Sequence, residues 1–128
     1  MQKMQLPDGY NTVMPYLILK DAKWFLEFAK QVFGATEKMM HAREEDGTLM
    51  HGEIMIGDSL IMFAQGNQQF APQPAGMFIC VADADETYRK ALEAGATSIM
   101  PPADQDYGRA CGVADKCDNT WWITKVKV

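Results

Sequence analysis

A chain of 128 residues with 48% hydrophobic and 23% charged side chains has the size and composition of one globular domain, which excludes a multidomain machine, a fibrous protein and a disordered tail. Seventeen acidic against twelve basic residues leave a net charge of −5, the wrong sign for holding phosphate backbones or anionic lipid, and no apolar run reaches the roughly 20 residues that span a bilayer. The expectation is a protein with neither a nucleic-acid nor a membrane partner, and a cytoplasmic one, because Met1-Gln2-Lys3-Met4-Gln5 lacks the apolar stretch of a secretory signal.

Cys80, Cys111 and Cys117 are odd in number and show no CxxC spacing, so they read as reduced thiols rather than a disulfide frame or zinc knuckle. Ten methionines are the compositional excess, and methionine suits adaptable apolar binding surfaces.

In chain order, Thr12 to Leu19 reads as a strand, and Asp21 caps a helix on which Trp24, Phe25, Phe28, Val32 and Phe33 recur at helical spacing. Gly34 ends that helix in the left-handed C′ position. Thr36 to Glu44 and Leu49 to Ile56 then flank Asp46-Gly47, a hairpin signal, and Gly57-Asp58 turns into a strand from Ser59 to Ala64. Residues 65–75 carry glycine, asparagine, prolines and glutamines without periodicity and form a linker. A strand at Gly76 to Val81, a helix from Asp83 to Ala94, strands near Thr97–Met100 and Tyr107–Val113, and a last strand from Thr120 follow. Pro101-Pro102 is expected to interrupt pairing, since proline cannot donate to a ladder.

The second half repeats the first. Asp21-Ala22 leads to Gly34-Ala35-Thr36 as Asp83-Ala84 leads to Gly95-Ala96-Thr97, and Gly57-Asp58-Ser59 is echoed by Cys117-Asp118-Asn119 about sixty residues on. The organisation is one domain, 1–128, made of βαβββ repeats over 10–64 and 76–128.

This order, with Met14-Pro15-Tyr16-Leu17, Phe28 to Gly34, Met50-His51-Gly52-Glu53, Pro101 to Gly108 and Asp115 to Trp121, resembles the vicinal oxygen chelate superfamily, also called the glyoxalase/bleomycin-resistance/dioxygenase superfamily. Two departures stand out: Ala29 where relatives often have tyrosine, and Asp115-Lys116-Cys117-Asp118-Asn119-Thr120-Trp121 where they have D-P-[FD]-G-[HN]-x-W. The resemblance implies an α+β fold in which mixed sheets form a cup with helices outside, and a homodimer that completes or covers it. It also implies, in metal-dependent members, four ligands from the first, fourth, fifth and eighth strands. Counted onto this chain those places fall at Met14, Met62, Met77 and Trp122, none of which ligates a divalent ion, so no metal and no cofactor is expected.

The same counting makes the cup apolar, lined by Met14, Tyr16, Met62, Met77 and Trp122, with Tyr107 and Arg109 overhanging it and Arg109 able to clamp a ligand's anionic end. His51 and Glu53 alternate onto one strand face and form a candidate acid–base pair, while His41 is expected on the opposite face. Each feature has a plainer reading: closed core for the methionines, a hydrogen-bonded pair for His51 and Glu53, a surface ion for Arg109. Three functions remain open on the sequence. The first is metal-independent sequestration of an apolar or aromatic small molecule, as in bleomycin-resistance-type proteins. The others are a lyase or isomerase using His51 and Glu53, and a module that mainly dimerises. Whether any reaction is catalysed stays open.

Overall fold

A computed structural model describes residues 2–128; Met1 lies outside it. Each repeat folds as a strand, a helix and three strands. The first comprises β1 (Tyr16–Leu19), α1 (Ala22–Phe33), β2 (Thr36–Ala42), β3 (Leu49–Ile56) and β4 (Ser59–Gln65). The second comprises β5 (Gly76–Cys80), α2 (Ala84–Glu93), β6 (Thr97–Gln105), β7 (Gly108–Ala114) and β8 (Thr120–Val126). Each gives a mixed four-stranded sheet, in the orders β1-β4-β3-β2 and β5-β8-β7-β6, with the first strand parallel to the last.

Local chemistry sets the ends of the elements. The Asp21 carboxylate accepts from Trp24 N at 3.0 Å and that of Asp83 from Glu86 N at 3.0 Å, so both helices start on an aspartate cap. Gly34 closes α1 at φ 68°, a conformation that costs glycine nothing. β6 runs straight through Pro101-Pro102, but its pairing skips from Met100 to Ala103; as the edge strand it tolerates the missing donors.

One core serves both repeats. Phe25 of α1 lies between Phe63 of the first sheet, ring centroids 5.2 Å apart, and Trp121 of the second, at 6.3 Å, and Phe33 meets Trp121 at 4.6 Å. Leu17, Leu19, Ile54 and Phe63 from one sheet and Cys111, Val113 and Ile123 from the other belong to the same buried cluster. Beside it, Asp115 is a buried hub: Oδ1 accepts from the backbone N–H groups of Cys117 and Asn119, and Oδ2 from Asn119 Nδ2 and Trp121 Nε1. Because both sheets turn an inner face to this common core, their other faces look away from it. Those open faces carry the candidate site. Among the described residues no helix is long and apolar enough to cross a membrane.

Candidate functional site

Strand registers place a matching row of four residues across each open face. On the first sheet Tyr16 pairs Met62, Met62 pairs Glu53 and Glu53 pairs Met39; on the second Phe78 pairs Trp122, Trp122 pairs Gly112 and Gly112 pairs Met100. Residues opposite one another in a ladder share a face, so each row forms the floor of its open surface.

The first floor is polar. The Tyr16 hydroxyl lies 3.1 Å from His51 Nδ1, His51 Nε2 lies 2.8 Å from Glu53 Oε2, and Tyr10, from the segment that precedes β1, donates to the same oxygen at 2.6 Å. The Tyr16 and His51 rings are tilted against each other with centroids 5.5 Å apart. Exposure falls along this chain of groups: Tyr16 is 48% exposed, the His51 side chain 25% and the Glu53 side chain 1%. Burial pushes the Glu53 carboxyl upward, but the hydrogen bonds from Tyr10 and His51 outweigh it and hold the group below its ordinary value, so it is ionised at neutral pH. The same bond holds the Tyr10 phenol above its ordinary value and keeps it a donor. Among the described residues Glu53 Oε1 is buried without a partner.

The second floor is aromatic. Trp122 is 39% exposed, Phe78 55% and Tyr107 52%, and the Phe78 and Tyr107 rings stand 6.5 Å apart. The indole of Trp122 lies over Gly112: a Cβ there would sit 2.6 Å from its ring. Where the first sheet places Glu53, the second leaves the space of a glycine and covers it with Trp122.

Several expectations are corrected. Met77 and Ile79 pack against the shared core, and it is Phe78 that turns to the open face beside Trp122. Met14 precedes β1 and belongs to no strand; Tyr16 is the residue opposite Met62. Arg109 turns to the helix side, where its guanidinium forks onto Asp85 of α2 at 3.0 and 3.2 Å and reaches Asp104 at 3.3 Å, so it clamps no ligand on the open face. Cys111 is buried with its thiol directed at Ile123 O, and burial pushes it up to about 11, so it stays protonated. Tyr16, His51, Glu53 and Met62 do come together, and Trp122 and Tyr107 do share a face. These two groups stand on different sheets, whose inner faces share one buried core.

The hairpin explains the misplacement of His41. It closes on Arg43 and Thr48, leaving 44–47 as a four-residue loop rather than a two-residue turn, and shifts of register follow at Lys38 and at Met50. His41 therefore stands opposite His51, on the same face. The bulge at Met50 also reverses its neighbourhood: Leu49 packs on the core, while Met50 lines a cleft of about 750 Å³ with Tyr16, Ile18, Arg43 and Phe70. A second cleft, of about 1000 Å³, follows the seam between the repeats past Val32, Phe33, Leu60, Met77 and Phe78.

The metal expected of chelating relatives does not fit these residues. The registers put Tyr16, Met62, Phe78 and Trp122 at the facing positions of the first, fourth, fifth and eighth strands, a donor set of one phenol, one thioether and two rings that a hard or borderline cation does not choose. Among the described residues no group of three His, Cys, Asp or Glu side chains is arranged to hold a metal ion.

No family model matches the chain. Two uncharacterized mycobacterial proteins, from Mycobacterium bovis and Mycobacterium tuberculosis, are each 29% identical to it over 119 residues, covering 84% of this chain and 78% and 69% of their own lengths. Among solved structures it is similar to TioX from Micromonospora sp. ML1, with a TM-score of 0.74, 20% identity and coverage of 91% of this chain and 100% of that one. It is also similar to the fosfomycin resistance protein FosX from Mesorhizobium loti, with a TM-score of 0.68, 17% identity and coverage of 92% and 93%. A FosX from Listeria monocytogenes, solved with Mn(II) and a dihydroxypropylphosphonic acid, matches with a TM-score of 0.66 and 18% identity over 90% of this chain and 89% of that one. The chain has the α+β vicinal oxygen chelate fold, that of glyoxalase and bleomycin-resistance proteins.

Proposed function

We propose that this protein binds an apolar or aromatic small molecule without a metal, between the aromatic floor of one copy and the Tyr16–Met62 floor of a second. The observation that carries this reading is the exposed cluster of Phe78, Tyr107 and Trp122, three aromatic side chains left at the surface on one sheet face. A contiguous apolar patch on a folded protein marks a binding surface, and stacked rings gain more than their buried area alone provides. Each Å² of apolar ligand surface withdrawn from water contributes roughly 25 cal/mol, before the cost of immobilising the ligand is subtracted. The two floors belong to different sheets of one chain, and in this reading the cup closes in a homodimer in which the first sheet of one protomer opposes the second sheet of its partner. The FosX of Listeria monocytogenes, which shares this fold, was solved with Mn(II) and a dihydroxypropylphosphonic acid, a small molecule held on the same architecture.

The test is a fluorescence titration of the purified protein against a panel of planar aromatic compounds, alongside light scattering for the mass in solution. The expected result is a dimer whose emission is quenched by at least one compound, with the response lost in Trp122→Phe. A monomer, or a panel without response, would overturn the reading.

A second reading, lyase or isomerase chemistry with His51 and Glu53 as acid and base, is favoured by the hydrogen-bonded sequence Tyr16–His51–Glu53–Tyr10. A buried carboxylate that orients an imidazole toward an exposed group is the arrangement general-base catalysis uses.

A further inference from the structure

We propose that Tyr16 is a base-activated hydroxyl, the reacting end of a triad in which His51 is the base and Glu53 orients it. The proposal builds on the acid–base reading and moves the point of contact with substrate from the imidazole to the phenol. Three observations carry it. Tyr16 stands at the open end of the four linked groups, a residue 48% exposed, in a row with Met62 and lining a cleft with Ile18, Met50 and Phe70. His51 has both ring nitrogens engaged, at 3.1 Å to Tyr16 and 2.8 Å to Glu53. Glu53 is buried and further fixed by the Tyr10 hydroxyl, so it cannot swing away from the imidazole.

Donor and acceptor roles then follow. An ionised Glu53 accepts, so His51 Nε2 carries a proton and donates to it. Nδ1 is left with its lone pair facing the Tyr16 hydroxyl, which donates to it. When the Tyr16 oxygen attacks an electrophile, its proton passes to Nδ1, and the resulting imidazolium is stabilised by the adjacent carboxylate, which keeps its charge throughout. The connectivity is that of a hydroxyl, imidazole and buried carboxylate in nucleophilic enzymes, with a phenol in the place of an aliphatic alcohol. The matching row of the second repeat has Phe78 where the first has Tyr16 and Gly112 where it has Glu53, so the triad belongs to one repeat alone.

The experiment uses an aryl sulfonyl fluoride as probe and needs no knowledge of the natural ligand. Attack forms the Tyr16 oxygen–sulfur bond, breaks the sulfur–fluorine bond, releases fluoride and leaves the proton on His51. Peptide mapping by mass spectrometry follows modification of Tyr16 and, in the same molecules, of Tyr107, which is 52% exposed and has no side-chain hydrogen bond among the described residues. A positioned general base accelerates such a step by a hundredfold or more, so Tyr16 is expected to react at least about tenfold faster than Tyr107. His51→Ala should reduce Tyr16 to the Tyr107 rate, and added imidazole should restore it relative to Tyr107, a rescue that a purely structural histidine would not show. Glu53→Gln should slow Tyr16 without changing Tyr107.

Equal rates at the two tyrosines in the native protein, or a His51→Ala variant that still labels Tyr16 fast, would overturn the proposal. Fast labelling in a protein that quenches with no aromatic compound would retain the triad and reject ligand capture; quenching without selective labelling would do the reverse.

Discussion

Replacing Asp115 by asparagine exchanges one heavy atom, an oxygen for a nitrogen, and should nonetheless remove a large share of the protein's stability. The carboxylate is 4% exposed and accepts four N–H groups: Cys117 N at 2.8 Å and Asn119 N at 3.0 Å on one oxygen, Asn119 Nδ2 at 2.9 Å and Trp121 Nε1 at 2.8 Å on the other. An asparagine has one acceptor oxygen, so whichever way its amide turns, an NH₂ group faces two N–H donors. Asn119 cannot relieve this by flipping its own amide, because its Oδ1 already accepts from Ala75 N at 3.0 Å. Two donors in a buried site therefore lose their partner, at about 1–3 kcal/mol each, or about 2–6 kcal/mol together. A domain of this kind has about 5–15 kcal/mol in all. Urea unfolding followed by tryptophan emission is the assay, and Trp121, whose indole N–H is one of the four donors, reports on the hub directly. A loss under about 1 kcal/mol with unchanged native emission would show that the hub does not hold the turn into β8 as its bonds imply.

Two further substitutions test the site. Gly112→Ala places a Cβ 2.6 Å from the Trp122 ring, so the indole must retreat by about 0.8 Å to reach the 3.4 Å of ordinary contact. Since Trp122 is half-exposed, the stability cost should stay near 1 kcal/mol, while acrylamide quenching of its emission should rise; unchanged quenching would refute the stacking. Glu53 gives a pH signature. Its folded value lies below its ordinary 4.5, so it contributes stability above pH 4.5 that is lost as acid protonates it. Tyr10→Phe removes a hydrogen bond that depresses that value, so the stability gap between native protein and variant should narrow as the pH falls from about 5 to 3, and a constant gap in urea midpoints would refute the assignment.

What could be read in the sequence was local. The capping aspartates, Gly34, the duplicated Gly-Ala-Thr and the alternation that put His51 and Glu53 on one face all depend on residues within a turn or a strand of one another. What escaped depends on register and on distant partners. Met77, Phe78, Ile79 and Cys80 are apolar without alternation, so nothing in that edge strand distinguishes its inner face from its open one. The open loop 44–47 and the offsets at Lys38 and Met50 moved His41 to the face of His51, and a one-residue slip is enough to exchange faces. The place of Arg109 is set by Asp85, which lies on α2, and Tyr10 precedes the first element and meets Glu53 only in the folded chain, so neither is legible locally.

The two repeats preserve one backbone plan and have diverged most usefully in a single row of side chains. Tyr16, Met62 and Glu53 supply hydrogen-bonding groups and a buried charge on one face; on the other, Phe78 and Trp122 supply rings and Gly112 the room for the indole. Neither row alone encloses a small molecule, for an open sheet face withdraws too little of it from water to hold it. Opposed across the proposed dimer, they become a polar floor under an aromatic roof. Any molecule held there meets the Tyr16 hydroxyl on one side and the Trp122 indole on the other. That geometry ties binding and reactivity to the same partner exchange: disrupting the dimer should abolish aromatic capture while leaving the Tyr16–His51–Glu53 chain, which lies within one protomer, able to react with a probe that needs no roof.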